Sequence, residues 1–290
     1  MSSFHRLDQA FENVPVLPLT PQSRYVLFSD CHRGVGTSGD NFLKNQHLYF
    51  AALQYYYDYG FTYIELGDGD ELWENHSIEP IKLTHNNSFW MLSRFYCDNR
   101  LFMLYGNHDM VKRDADFASC HCDTYPCSNC SIEEHFPGIC FHSGLILRNY
   151  CHGRDIYLTH GHQADFFNFT LWRVARFLVR YLWRPLENIG FLDPTSSAKN
   201  NTKKERIEQT LTEWALTRNH ILITGHTHRP MMGSEKSPYY NTGSCVHPRC
   251  ITCIEIENGL ITLVKWAISV HKDLSVFVER SALAEPENLF

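Results

Sequence analysis

The sequence has no run of five or more like charges, no internal repeat and no low-complexity tract. Without a charge block, and with 26 Lys+Arg against 32 Asp+Glu for a net charge of −6, no general nucleic-acid binding is expected, and any such contact is local. A membrane-spanning helix needs about 20 predominantly apolar residues, and no such run exists. The greasiest window, 166–186, is broken by Arg173, Arg176, Arg180 and Arg184. The opening MSSFHRLDQAFEN is polar and mixed in charge, without the apolar run of a secretory signal, so a cytoplasmic protein is expected. Eleven cysteines in that setting read as metal ligands and reduced thiols rather than disulfides. What is present suits a globular protein with a sizeable core: 290 residues, 43% of them hydrophobic, expected as a single domain over 1–290.

Short β-rich runs recur, each ending in polar residues: Tyr25 to Asp30, Tyr63 to Asp68, Leu101 to Asn107, Ile156 to His160 and Ile221 to His226. Continuous apolar runs of this length suit strands buried on both faces, and the early intervening segments, 40–59 and 78–96, carry helical spacing. Alternating β and α predicts a layered α/β fold. After His228 the pattern becomes hairpins, with 250–257 and 260–266 flanking Asn258-Gly259, a strong two-residue turn signal. A second, antiparallel sheet is expected there.

The polar residues at the strand ends are Asp30 and His32, Asp68, Asn107 and His108, His160, then His226 and His228. In an open α/β sheet, ligands gather outside the carboxyl ends of the strands, which predicts one crevice lined by these groups. Mixed imidazole and carboxylate donors suit Mn²⁺, Fe²⁺ or Zn²⁺ better than Mg²⁺ or Ca²⁺, and the set is large enough for two ions if one carboxylate is shared.

The segments SDCH, GDGDE, GNHD, THGH and GHTH together resemble, in order, the five motif blocks of the calcineurin-like metallophosphoesterase superfamily. Within it the chain looks most like the UDP-2,3-diacylglucosamine hydrolase group, through GDGDELWE, GHTHRP and the helical insertion before GHTH. The resemblance covers roughly residues 24–270 and implies a four-layer αββα sandwich of two mixed β-sheets flanked by helices. It implies one metal on Asp30, His32 and His228, another on Asn107, His160 and His226, and Asp68 bridging the two. It further implies His108 as proton donor, oriented by Asp109, and Glu71 as an outer-shell or backbone-anchoring acid. Two ions so held lower the pKa of a bridging water and stabilise phosphoryl charge, which implies hydrolysis of a phosphodiester or pyrophosphate bond in a nucleotide- or lipid-linked substrate. Two departures stand out. The lipid hydrolases resemble GNRD where this chain has Gly106-Asn107-His108-Asp109, the form common in nucleases, phosphodiesterases and phosphatases of the superfamily. They tend to show HGD where this chain has His160-Gly161-His162. His162 is read either as an extra site residue or as a turn residue bonded to backbone.

Two insertions interrupt the pattern. In 120–142, Cys120, Cys122, Cys127 and Cys130 have spacing that suits a structural zinc knuckle, or else are thiols without metal. In 163–219, a helical cap is expected to carry an arginine stripe of Arg173, Arg176, Arg180 and Arg184 beside a greasy face. Read functionally, the arginines meet substrate phosphates and the apolar face meets an acyl chain or the inner face of a membrane; read structurally, the helix packs on the core. Rival readings of the whole chain are a phosphomonoesterase or protein phosphatase, and a scaffold with a vestigial metal centre.

Overall fold

Each central strand sends alternate side chains to opposite faces, and both faces are buried. In strand Tyr25–Phe28, Val26 and Phe28 enter one apolar cluster while Tyr25 and Leu27 enter another. The computed structural model describes residues 2–37, 39–126, 132–151, 153–183 and 201–290.

Among the described residues the two large sheets are mixed. The eight-stranded sheet runs, by neighbours, Val276–Ala282, Leu260–Val270, Cys250–Glu257, Tyr25–Phe28, Thr62–Glu65, Leu101–Leu104 and Phe141–His142, with Glu287–Asn288 pairing off Leu260–Val270. Its three central strands, Tyr25–Phe28, Thr62–Glu65 and Leu101–Leu104, are parallel. The five-stranded sheet runs Val16–Leu19, Gly144–Asn149, Ile156–Thr159, Ile221–Thr224 and Tyr239–Asn241. Leu27, Ile64 and Leu104 of one sheet meet Leu145, Leu158 and Ile223 of the other in a shared core. Helices Gln46–Asp58 and Asn86–Cys97 cover the larger sheet through Tyr49, Leu53, Leu92 and Phe95. Ser3–Ala10 and Asn201–Arg218 cover the smaller one through Leu7, Leu211 and Trp214. The layers are therefore αββα, as the motif resemblance implies.

Three expectations change. The five motif-bearing strands do not share one sheet: three lie in the larger and two in the smaller, because a doubly buried apolar run reads the same in either. The C-terminal hairpin joins the larger sheet, Cys250–Glu257 pairing antiparallel with Tyr25–Phe28; its turn is as read, Asn258 and Gly259 both having positive φ. Helix Asn201–Arg218, placed in the cap from sequence, is a core layer, its Leu211 fully buried and Trp214 only 2% exposed. The rest of the described cap consists of short helices Phe166–Thr170 and Trp172–Leu178, then a π-turn, Val179–Trp183. No helix among the described residues is long and apolar enough to cross a membrane.

Candidate metal centre

Where the chain leaves the motif-bearing strands it enters the left-handed region at Asp30 (φ 51°), His32 (47°), Asp68 (51°), His226 (68°) and His228 (55°). The other non-glycine residues with positive φ among those described are four asparagines and Leu274. Each such position costs on the order of 1 kcal/mol and persists only where the surroundings impose it, so strain concentrates at the predicted ligands. The loops are laced together: Asp30 N donates to Gly67 O at 3.1 Å and His32 N to Asp68 O at 2.9 Å. Gly106 and Gly225 have no room for a side chain, since a Cβ there would enter the carboxylates of Asp68 and Asp30.

The hydrogen bonds outside the ligand set fix which ring nitrogens face inward. His160 Nδ1 donates to the Leu66 carbonyl at 3.0 Å. Its Nε2 faces Asp68 Oδ2 at 3.1 Å and Asn107 Oδ1 at 3.2 Å. His32 Nδ1 donates to Glu71 Oε2 at 2.8 Å, and its Nε2 faces His228 Nε2 at 3.2 Å and the carboxylates of Asp30 and Asp68 at 3.8 Å. Asp30 Oδ2 is satisfied by Ser29 Oγ and by His226 N at 2.9 Å, but Oδ1 is buried with no hydrogen bond, 3.1 Å from His228 Nε2. A buried carboxylate oxygen without a donor, among converging imidazole nitrogens and carboxylates, makes a donor set that a divalent cation fits. Asp30, His32 and His228 form one group with ligand atoms within 4.8 Å of one another; Asp68, His160 and His226 form a second. Asp68 Oδ2 reaches toward both, and the residues present fit a pair of divalent ions.

Charges reinforce the arrangement. Burial would push His160 down, but Asp68 and Asp30 raise it to about 9. Asp68, despite its burial, is held well below the usual carboxylate range by His160 and His108. Burial pushes His226 and His228 below the ordinary imidazole value.

The orientation of His108 differs from the sequence expectation. Asp109 does not touch the ring. Its Oδ1 accepts from Gly106 N at 2.7 Å and Asp68 N at 3.2 Å; its Oδ2 accepts from Gly69 N at 3.1 Å and Lys112 Nζ at 2.8 Å. Fully buried, Asp109 staples two motif loops together and is not placed for proton transfer. Glu71 takes the orienting part instead, its Oε1 2.8 Å from His108 Nδ1, and the Trp73 ring stacks on His108 with centroids 4.2 Å apart. Beneath the loops, Arg33 is fully buried, bidentate to Glu65 at 3.0 Å and bonded to Asp70 at 2.7 Å; Lys112 joins Asp70 at 2.7 Å.

His162 is fully buried, its ring centroid 5.4 Å from that of His160 and stacked on Phe169 at 5.6 Å. Neither ring nitrogen has a hydrogen-bond partner, so it is no backbone-bonded turn residue. Arg173 and Arg176 stack on Trp172, with guanidinium carbons 5.5 and 4.9 Å from its ring centroid. Arg180 lies in the π-turn and points to a different partner, the 72–76 loop. Four of its five N–H groups are engaged on the 72–76 loop, which corrects its assignment to substrate phosphate. Cys120 is exposed whereas Cys122 lies in the core, as residues two apart at a helix end face opposite ways. Burial pushes the Cys122 thiol up to about 12, and neither cysteine belongs to a metal-ligating group among the described residues. Cys127 and Cys130 lie outside the described residues, as does Arg184.

Two residues were not read from sequence. Trp73 carried no signal beyond an apolar ring. Asp165, whose Oδ2 lies 3.6 Å from His226 Nε2 and 2.7 Å from Lys203 Nζ, caps helix Phe166–Thr170, and its place before Phe166-Phe167-Asn168 was the legible cue.

No protein-family model matches the chain, and no curated protein matches it. Among solved structures the chain is similar to Vps29 of Chaetomium thermophilum, with 9% identity and a TM-score of 0.41 over 93% of this chain and 99% of that one.

Proposed function

We propose that this protein is a dinuclear-metal-dependent phosphoesterase acting on a phosphodiester or pyrophosphate bond. The carrying observation is the convergence of Asp30, His32 and His228, and of Asp68, His160 and His226, each group with its ligand atoms within 4.8 Å of one another, beside an Asp30 oxygen that is buried without a hydrogen bond. Asp30, His32, His228, Asn107, His160 and His226 would hold two ions and Asp68 would join them. When bound, such ions lower the pKa of a shared water and neutralise phosphoryl charge.

The chain's own groups supply the rest. His108 N donates to Asp68 Oδ1 at 2.7 Å, which fixes the shared carboxylate. Burial lowers the affinity of His108 for a proton, but Glu71 and Asp68 more than offset this and raise it above the ordinary imidazole value. With Nδ1 committed to Glu71 and the side chain 22% exposed, Nε2 delivers a proton to the leaving oxygen. The exposed apolar row Val174, Phe177, Tyr181 and Leu182 on the cap supports a lipid-linked substrate, met at the inner membrane face.

Asp68→Asn tests the reading. It should bind fewer than two equivalents of Mn²⁺ and lose turnover of a phosphodiester while melting like the metal-stripped wild type. A near wild-type rate would sink the shared-ligand assignment.

A further inference from the structure

We propose that Arg180 of the cap is a positioning residue that sets the orientation of His108 through the loop 71–76. The inference rests on the phosphoesterase reading above, in which His108 protonates the leaving oxygen.

Two of the contacts on the His108 ring originate from this loop, and a third is the His32 ring, edge-on with centroids 4.6 Å apart. Glu71 Oε1 holds the Nδ1 edge and Trp73 covers the face. Leu72 and Trp73 are themselves buried, while Glu74, Asn75 and His76 are only partly covered or exposed. Arg180 collects the loop's carbonyls: Nε donates to Trp73 O at 2.7 Å, and Nη2 donates to Leu72 O at 2.8 Å and Asn75 O at 3.0 Å. Nη1 adds His76 Nδ1 at 3.1 Å. One planar guanidinium thus spans three carbonyls and a ring, which a point-charge ammonium cannot do. The loop also closes on Glu71, whose Oε1 accepts from Glu74 N at 3.3 Å and whose carbonyl accepts from Asn75 Nδ2 at 2.8 Å. Freeing the three carbonyls therefore loosens the face contact and the edge contact together. A cap residue that touches no substrate atom controls how well His108 is aimed.

A group that acts through a proton donor matters most when the leaving group is poor. The test compares 4-nitrophenyl and phenyl esters of one phosphodiester, with Mn²⁺, in wild type, Arg180→Ala, His108→Ala and the double variant. Arg180→Ala should lower kcat on the phenyl ester about 10-fold or more, a fraction of the whole contribution of a general acid, with KM little changed and a much smaller loss on the nitrophenyl ester. In the His108→Ala background it should cost nothing further. In metal-stripped protein, the downfield proton resonance of His108 Nδ1, assigned by its loss in His108→Gln, should broaden or vanish in Arg180→Ala. Should Arg180→Ala not fold, Arg180→Lys carries the same comparison with a smaller, equally selective loss. Equal losses on both esters, additivity with His108→Ala, a raised KM at constant kcat, or an unchanged Nδ1 resonance would each overturn the positioning role. Failure of the metal-loaded wild type on either ester would instead overturn the phosphoesterase reading beneath it.

Discussion

His160 donates from Nδ1 to the Leu66 carbonyl at 3.0 Å, and that bond aims its Nε2 at Asp68, 3.1 Å away. Held this way, Nε2 can exchange its proton for a metal ion without the ring turning.

Manganese should therefore stabilise the folded protein. At a free concentration about 100 times Kd, one site adds about 2.7 kcal/mol, seen as a rise in Tm that a chelator reverses. Asp30→Asn, which alters the buried oxygen that has no hydrogen bond, should lose most of the rise. Melting curves of the two proteins with and without Mn²⁺ check this; identical shifts would remove Asp30 from the ligand set.

Asp109 should behave as a staple. Asp109→Ala strips Lys112 of one of its two buried carboxylate partners and three backbone N–H groups of their acceptor. Breaking a buried charge pair in this way costs about 3–5 kcal/mol, read as a lower urea midpoint. Undiminished stability with activity lost only on poor leaving groups would restore the role read from sequence, as the partner of His108.

Much of this was legible beforehand because each apolar run stops at a polar residue, and strand ends are where polar residues converge. Asp30, Asp68, Asn107, His160 and His226 were all found that way. The division of their strands between two sheets was not, since Leu158 and Leu27 are equally buried and nothing local distinguishes their sheets. The exchange of Asp109 for Glu71 behind His108 was hidden because both are acids in motif loops, and Lys112 with the amides of Asp68, Gly69 and Gly106 decides which way Asp109 turns. Arg180 bonds to carbonyls more than a hundred residues away in the chain, which helical spacing cannot foresee.

Acid should weaken one contact outside the ligand set. Asp40, 5% exposed, takes His85 Nε2 and Gly36 N at 2.9 Å and Leu43 N at 3.1 Å. Burial pushes its carboxyl up, but these donors more than compensate, so it is lowered in the folded protein. A lowered carboxyl adds stability that is complete above its unfolded value of about 3.9 and disappears as pH falls through the folded value. Asp40→Asn should flatten urea stability against pH in that acid window; an unchanged slope would contradict the pairing.

Thiol labelling should separate the cysteines of the insertion. Cys120 and Cys140 are exposed, whereas Cys122 is enclosed and its thiol raised to about 12. Mass spectrometry after brief iodoacetamide treatment of the native protein should find the first two modified and Cys122 untouched. Fast modification of Cys122 would place it outside the core.

The most direct measurement is the initial rate of the metal-stripped protein on bis(4-nitrophenyl) phosphate with and without added Mn²⁺, the bound metal counted in the same samples. Two equivalents of manganese and turnover that appears only with them is the predicted result. Two bound equivalents without turnover of this diester or of a UDP-linked pyrophosphate would contradict the phosphoesterase assignment.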